Sequence, residues 1–535
     1  MISTSRRAFL TALGSGWAVQ QLAPGARTPS GRICGASHQL GHLLRDPRKA
    51  QETSTWERCD VVVVGGGVAG LSAAWRFAGE GLDVRVLELE PTIGGTSAAG
   101  YEGVVAHPLG AHYLPVPNLE ARGVLRLLDQ MGVLLRWDAA NRPIFDPRVL
   151  CAAPQERLFY RGSWHAGLVP DEALSAEELA ELARFTATMD TLTERRGRDG
   201  KYAFEIPMMG SSRDPELLAL DQITMARWMD DNGFVTPFVR WYVRYATLDD
   251  FGAEPTAVSA WAGLHYFAAR KLQGPELEGS HFLVWPEGNG RLVRALADLS
   301  EAKRTTSALV RWVEPTRTGV AVDWFDPRED RASRLEARCV VIATPAFVAR
   351  RILPEPFARR LPSRTSSPWL VANLHVSRRR QPDQAWDSVL YGADGLGYVD
   401  ASHQLTPPRD DTVLTYFRAF GGRDAKATRA SLLAAPWDSL AWGVMNDLRP
   451  AHPELREQTS RLDITLWGHA MPRPEPGFLG DDPFEPITDL GSEPIAWGHA
   501  DTSGMALFEE AQAAGLRAAE RAAHLADIDL GATWL

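Results

Sequence analysis

The chain has 535 residues, more than one hydrophobic core usually supports, so two domains are expected. Its 45% apolar and 23% charged residues are ordinary for a globular protein, and no run approaches the ~18 apolar residues of a membrane helix. A net charge of −10 argues against nucleic acid as a partner and mildly favours a cationic or neutral small molecule, although solubility alone is the better account of it. Cys34, Cys59, Cys151 and Cys339 show no metal-ligand spacing and the 13 histidines are scattered, so no metal site is expected.

In chain order, Ser5-Arg6-Arg7-Ala8-Phe9-Leu10 and the short apolar stretch 11–19 resemble a twin-arginine export signal. Such a signal carries folded proteins, so a periplasmic or other extracytoplasmic location is expected, with the twin-arginine translocase as a transient partner. Residues 1–56 read as signal and linker. Residues 60–64 (DVVVV) then form an apolar run suited to one buried parallel strand, and Gly65-Gly66-Gly67-Val68-Ala69-Gly70 supplies a GxGxxG turn directly after it. A helix follows with Leu71, Ala74, Phe77 and Ala78 on one face, and residues 83–89 make a second strand.

In this β-α-β unit Gly65 permits the tight turn, Gly67 lets backbone approach a pyrophosphate, and Gly70 allows close helix-strand packing. The helix start at Val68 and Ala69 offers unpaired N–H groups and the positive end of a dipole. Glu88 closes the second strand, where a carboxylate accepts adenosine ribose hydroxyls and repels a 2′-phosphate, which disfavours NADP. Gly94-Gly95 would let a second backbone turn reach the same pyrophosphate, which favours FAD over NAD.

Next come Leu109-Gly110-Ala111-His112-Tyr113-Leu114 and a helix over 118–131 with Asn118 as its N-cap. Helices dominate 135–285, one opening at the capping box Ser175-x-x-Glu178 and running to about 194, and this reads as a separate module. Trp285-Pro286-Glu287-Gly288-Asn289-Gly290 is either a turn beside a ligand or a helix entry. Alternation at 307–313 and 320–324 predicts a hairpin, and 339–345 a buried strand beside the one at Asp60. A mixed section over 350–490 contains Asn373 and His375 in a strand-like run. A strand and turn at 494–501 lead into an alanine-rich helix over 505–525.

The series GGGVAG, Glu88, IGG, LGAHYL, WPEGNG, VVIATP and AWGHADTSGMALFEEAQAAGLRAA resembles the flavin-containing amine oxidase superfamily, which also holds carotenoid-desaturase-like enzymes. The resemblance runs from about residue 57 to 526. It implies an α/β fold: a glutathione-reductase-like Rossmann FAD domain built from non-contiguous segments (57–134, 285–350 and 490–530), with an inserted α+β substrate domain (135–284 and 351–489). It also implies that Gly65, Gly67 and Gly70 hold the pyrophosphate of FAD, that Glu88 holds its ribose, and that Gly94, Gly95 and Thr96 run along the diphosphate and ribitol. Gly110, Ala111 and His112 would lie near the isoalloxazine. The family places an acid for the ribitol right after the glycine equivalent to Gly498. Here His499 follows and Asp501 stands two further on, so the contact falls to one of them. The helix start at Met505 to Leu507 would aim its dipole at the flavin N1–C2=O edge.

Two departures bear on the reaction. Leu507 stands where many amine oxidases have a cage tyrosine, and the strand around 368–374 lacks the lysine through which such oxidases promote reaction with oxygen. Both point toward a dehydrogenase that passes electrons to a quinone or periplasmic carrier. His112 is the first candidate to take the amine proton, since an imidazole titrates near working pH, and His499 is a base or a flavin contact. Tyr113, Trp261, His265, Tyr266, Asn373 and Leu507 are the expected walls of the substrate pocket. The expected function is an exported FAD-dependent oxidoreductase that oxidises a C–N bond of an amine, polyamine or amino acid by hydride transfer to flavin N5. The alternatives are desaturation or isomerisation of an apolar lipid or isoprenoid, and a non-catalytic flavin-binding protein.

Overall fold

Val61–Val64 are four β-branched residues almost wholly removed from solvent, and such a run is stable only as a parallel strand covered on both faces. They form the centre of a five-stranded parallel sheet in the order Lys303–Thr305, Val84–Leu87, Val61–Val64, Cys339–Ile342, Ile495–Trp497. Strands follow on both sides of Val61–Val64, so its C-terminal end is the switch point at which such sheets bind ligands. This is a computed structural model, and it describes residues 29–45, 55–271, 282–377, 384–422, 424–480 and 490–535. The arginine pair and the apolar stretch 11–19 lie outside the described residues.

Helices Val68–Arg76 and Phe508–Leu525 cover one face of this sheet, packing small residues such as Ala73, Ala74, Ala518 and Ala522 against it. Their backbones nearly touch, for a Cβ on Gly515 would lie 2.0 Å from the Ala69 carbonyl oxygen. A four-stranded sheet (Leu309–Thr316, Gly319–Asp326, Arg331–Ala337, Thr55–Arg58) covers the other face, burying Val313, Val322 and Leu335 against Val62 and Val64. Sheet, sheet and helix make the three layers of the expected Rossmann FAD domain, assembled from distant segments.

The rest of the chain forms an eight-stranded sheet in the order Ile33–Gly35, Thr459–Pro472, Ser366–Ser377, Asp411–Ala419, Gly397–Asp400, Asp387–Leu390, Glu156–Tyr160, Ser163–Ala166. One face packs on helices Ala425–Ala434 and Trp437–Leu448. The other packs on the inserted helices Ala176–Glu194, Pro237–Phe251 and Ala260–Ala268. The capping box at Ser175 forms in full.

Two expectations change. Part of the stretch read as linker is extended edge structure: Ile33 pairs in parallel with Ile464, and Thr55–Arg58 pairs with Arg331–Ala337. Asn118 is not a helix cap, because the helix is Arg122–Gln130 with Ala121 at its N-cap. Asn118 is instead buried and donates to the Ala269 carbonyl at 2.8 Å and to Glu205 Oε2 at 3.1 Å. A buried amide placed beside buried polar groups satisfies them, whereas a cap would leave it at the surface.

All four cysteines are free, and burial pushes the Cys59 and Cys339 thiols up to about 12. Among the described residues no helix is long and apolar enough to cross a membrane, and no His, Cys, Asp and Glu cluster could hold a metal ion.

Candidate active site

The glycine turn shows which of its positions face protein and which face open space. A Cβ on Gly65 (φ +107) would stand 2.6 Å from the Ala343 carbonyl oxygen, and one on Gly70 would stand 1.9 Å from the Gly65 carbonyl oxygen. Nothing lies within 4 Å of the same position on Gly67. Gly67 is also the N-cap of helix Val68–Arg76 and provides no side-chain cap, so the first N–H groups, including those of Val68 and Ala69, have no intrahelical partner. This open, donor-lined cradle is what an anionic diphosphate needs.

The second glycine turn closes on the same cradle. Gly94 (φ +121) forms a parallel bridge to Gly67, its N–H donates to the Gly66 carbonyl at 2.8 Å, and a Cβ on Gly95 would stand 3.6 Å from Gly67 Cα. Glu88 Oε2 accepts the Gly66 N–H at 2.6 Å and Oε1 accepts the Glu90 N–H at 2.8 Å. Burial raises this carboxyl above its ordinary range, against those two bonds. Each oxygen keeps a lone pair for a ligand hydroxyl.

Three motifs distant in sequence make the next wall. The Thr96 carbonyl accepts the Ala111 N–H at 2.9 Å, and a Cβ on Gly110 would lie 2.2 Å from that same oxygen. Asn289 N–H donates to the Ala111 carbonyl at 3.2 Å, and a Cβ on Gly288 (φ +57) would meet His112 Cα at 2.8 Å. The WPEGNG segment is therefore a turn packed on the His112 backbone, and helix Gly290–Leu299 follows it.

His112 Nδ1 lies 3.2 Å from the Gly110 carbonyl, which makes Nδ1 the donor and leaves Nε2 as acceptor. Its ring sits among Phe417 (4.8 Å), Tyr113 (5.3 Å) and Trp386 (5.9 Å), and burial pushes its pKa down to about 4. It is neutral at ordinary pH and a weak base. Tyr113 donates its hydroxyl to Asp249 Oδ2 at 3.1 Å and packs on Phe282 and Trp386. Burial, then the charge of Asp250, pushes Asp249 up to about 7, with the Tyr113 bond pulling the other way. Asp250 is instead clamped by Arg270, whose Nη2 donates to both its oxygens at 2.8 and 2.6 Å. Tyr266 lies under that guanidinium at 4.3 Å.

Tyr113, Tyr266 and Leu507 are half-buried, and Tyr113 and Leu507 pack on the core beneath the inserted helices. Trp261, His265 and Asn373 are fully buried. Trp261 stacks on His265 at 5.1 Å, and His265 Nε2 pairs with the Glu205 carbonyl at 2.8 Å, its pKa pushed down to about 3 by burial. Asn373 donates to the Pro108 carbonyl at 3.0 Å and to Thr415 Oγ1 at 2.9 Å, tethering the segment before His112 to the large sheet.

Gly498 continues strand Ile495–Trp497, its N–H donating to the Ile342 carbonyl at 3.0 Å. Asp501 is committed to the chain: Oδ2 accepts the Ala346 N–H at 2.8 Å, and its own N–H donates to His499 Nδ1 at 3.1 Å. Burial raises Asp501, but His499, the Ala346 bond and Arg364 outweigh it and hold the carboxyl below its usual range. His499 keeps more surface, 24% against 7% for the Asp501 side chain, and belongs to this strand end rather than to the rings around His112. Met505 is wholly buried, with its N–H on Ser503 Oγ at 3.3 Å.

Asp249, Glu156, Trp386 and Asp387 escaped the sequence reading. Their signal was acids within apolar runs, Leu248-Asp249-Asp250-Phe251 above all. A separate cleft of ≈ 210 Å³ between helices Arg122–Gln130 and Phe508–Leu525 contains none of the residues above.

A sequence model of the flavin containing amine oxidoreductase family matches residues 68–523. A probable flavin-containing monoamine oxidase A of Dictyostelium discoideum is 24% identical over 301 residues, 55% of this chain and 59% of that one. Amine oxidase [flavin-containing] B of Cavia porcellus is 41% identical over 78 residues, 14% of each chain. The chain thus spans less than two thirds of either relative. Among solved structures, putrescine oxidase bound to putrescine has a TM-score of 0.62 at 16% identity, covering 87% of this chain and 99% of that one. Cyclohexylamine oxidase from Brevibacterium oxydans has a TM-score of 0.62 at 18% identity, covering 88% and 99%. With that family match running from the glycine turn to the last helix, the chain belongs to the flavin-containing amine oxidoreductase family, whose cofactor is FAD.

Proposed function

We propose that the protein is an exported FAD-dependent enzyme that oxidises a C–N bond of an amine and passes the electrons to an acceptor other than oxygen. The observation that carries this reading is the Tyr113–Asp249 hydrogen bond inside the aromatic cluster beside the His112 turn. In that setting a carboxylate attracts an alkylammonium ion, and the rings pack its apolar body.

The cradle fits FAD in this account. Gly65, Gly67, Gly70 and the helix start at Val68 and Ala69 hold the diphosphate, Glu88 the ribose, and Gly94, Gly95 and Thr96 the ribitol side. Gly110 and Ala111 border the ring system. Of the two residues after Gly498, His499 is the better placed to meet the ribitol, with Asp501 positioning it. FAD, when bound, supplies the hydride acceptor.

Asp249 takes the ammonium proton, because a group titrating near 7 is matched to that task and a histidine held near 4 is not. This moves the proton-accepting role from His112 to Asp249. Tyr113 orients the carboxylate, and His112 Nε2 remains a neutral acceptor toward the amine. The ring walls exclude water and so strengthen the charge interaction. Putrescine and cyclohexylamine, named for two proteins of the same fold, are amines with apolar bodies. The acceptor proposal is supported by strand Ser366–Ser377, which carries no lysine, and the export proposal by Arg6-Arg7.

Anaerobic mixing of the flavin-loaded protein with a panel of amines tests the chemistry. Bleaching of the flavin band supports it, and no bleaching by any amine overturns it. Admitting air and, separately, a soluble quinone to the bleached enzyme tests the acceptor, with fast reoxidation by oxygen counting against the dehydrogenase reading.

A further inference from the structure

Helix Phe508–Leu525 turns more than one face to the protein. Gly515 packs on helix Val68–Arg76, whereas Glu509, Gln512, Ala513 and Leu516, at helical i, i+3, i+4 and i+7 spacing, line the cleft of ≈ 210 Å³. Gly123 and Val124 of helix Arg122–Gln130 form the opposite wall. A Cβ on Gly123 would stand 2.7 Å from Leu516 Cδ1 and 2.9 Å from Gln512 Oε1, so the slot is narrow there. Residues 207–210 close a third side, fixed by the Met208 N–H, which donates to Glu510 Oε1 at 2.6 Å.

Ala121, Val124, Met209, Ala513 and Leu516 make the lining mostly apolar, and the polar groups among them are donors without acceptors. Gln512 is only 1% exposed, yet its Nε2 has no hydrogen-bond partner among the described residues, and neither has Arg517 Nε further along the same helix. A buried donor left unpaired costs stability until a ligand supplies an acceptor. Glu509 lies one turn before Gln512 and is also buried. The arginine whose charge acts on it, Arg270, is already clamped on Asp250. Burial pushes the Glu509 carboxyl up to about 7, with Glu510 and Asp250 adding to this, so near neutral pH it holds a proton part of the time. Charges around the cleft balance, Arg122 and Arg517 against Glu120 and Glu509, so an ion of either sign gains little there.

A narrow apolar slot with unpaired donors and no net charge selects a flat, uncharged ligand that carries acceptor oxygens. Its volume suits a single ring system and falls below the about 300–1,000 Å³ of larger ligand pockets. Glu509 interacts with the charges of Arg270 and Asp250, and Asp250 adjoins Asp249, so this residue stands between the cleft and the proposed amine site. The helix that lines the cleft is also the one whose start faces the flavin in the family arrangement.

We propose that the cleft binds a quinone as the electron acceptor, its carbonyl oxygens accepting from Gln512 Nε2 and Arg517 Nε, and that Glu509 protonates it on reduction. This rests on the amine-oxidation reading above and gives its acceptor a chemical class and a site. Two electrons and one proton come from the flavin reduced by the amine, and the second proton comes from Glu509. Both quinone carbonyls become hydroxyls, and the Glu509 carboxylate regains its proton from water at the cleft mouth.

The test is equilibrium dialysis of oxidised, flavin-loaded protein against tetramethyl-1,4-benzoquinone, which has no ring position open to thiol addition. One saturable site is expected, and in Gln512→Met its Kd should rise about tenfold through loss of a hydrogen bond. Glu509→Gln keeps a donor of the same shape, so binding should persist while reoxidation of amine-reduced flavin by the quinone slows by about 10²- to 10⁴-fold. A residue with only a structural role would slow amine reduction and quinone reoxidation alike. No saturable binding to wild-type protein, or binding untouched in Gln512→Met, overturns the site. If amines bleach the flavin and oxygen or a protein carrier reoxidises it while the quinone does not, the quinone site is wrong and amine oxidation stands. If no amine bleaches the flavin, the oxidation reading falls and the dialysis still decides whether the cleft takes a quinone. The wild-type measurement decides even if a variant does not fold.

Discussion

The Tyr113 hydroxyl donates to Asp249 Oδ2 at 3.1 Å across 136 residues of sequence, tying the turn beside the flavin cradle to an inserted helix. Asp249 is half-buried by area, yet surrounding protein pushes it up to about 7.

The first prediction follows from that pKa. Burial disfavours the charged form and raises Asp249, Asp250 adds to this, and Tyr113 and Arg270 oppose it. The active form is the carboxylate, so kcat/KM for an amine should rise as pH passes through about 7. Tyr113→Phe removes a bond that lowers the pKa, so the inflection should move to higher pH. Asp249→Asn should abolish the inflection and cost about 10²- to 10⁴-fold in rate. An unchanged pH profile in Asp249→Asn would remove Asp249 from the chemistry.

Gly70 and Gly67 should respond differently to one methyl group. In Gly70→Ala the new carbon would stand 1.9 Å from the Gly65 carbonyl oxygen, so the backbone must shift, at a cost of about 1–3 kcal/mol or more. In Gly67→Ala it meets no protein atom within 4 Å, so the fold should survive while the pyrophosphate loses its close approach. Thermal melting and the flavin-to-protein absorbance ratio separate the two. Full flavin content in Gly67→Ala would contradict the assigned cradle.

A buried ion pair ties the end of the inserted helices, at Lys271, to the Tyr202 to Glu205 stretch of the same inserted segment. Lys271 Nζ pairs with Glu205, donates to the Phe204 carbonyl at 3.0 Å and lies 3.5 Å from the centre of the Tyr202 ring. Lys271→Met leaves Glu205 buried beside Asn118 without its cation and should cost about 3–5 kcal/mol. Adding Glu205→Met should recover much of that loss. Urea unfolding of the single and double variants measures both, and additive losses would contradict the coupling.

Export is tested separately from chemistry. Replacing Arg6 and Arg7 by Lys should hold the protein in the cytoplasm, measured by fractionation. Unchanged delivery to the periplasm would refute a twin-arginine signal.

Much of the FAD domain was legible because its signals are local. The valine run, the glycine turn and Glu88 all lie in one β-α-β unit, and physical contact among them needs no long-range information. The large sheet was not legible in the same way. Its edge strand Ile33–Gly35 pairs with Thr459–Pro472, more than 400 residues away, and three residues of strand carry too little periodicity to declare themselves. Asn118 misled for a related reason: a helix-capping residue type met a tertiary partner, Glu205, that outcompeted the local cap.

The site divides along the same line. His112 and Tyr113 were found through their motif, but the proton chemistry assigned to His112 depends on burial, which lowers its pKa to about 4. Trp261 and His265 have the residue types of a pocket wall and pack instead on each other. Asp249 and the pair Glu156 and Asp387 come together only when helix Pro237–Phe251 folds over the sheet.

The most direct test of the central claim is anaerobic stopped-flow reduction of the flavin by alkyl mono- and diamines near pH 8. The account predicts bleaching of the flavin band by wild-type protein, and bleaching slowed by about 10² or more in Asp249→Asn. A flavin that stays fully oxidised with every amine, or one reduced equally fast in Asp249→Asn, would contradict it.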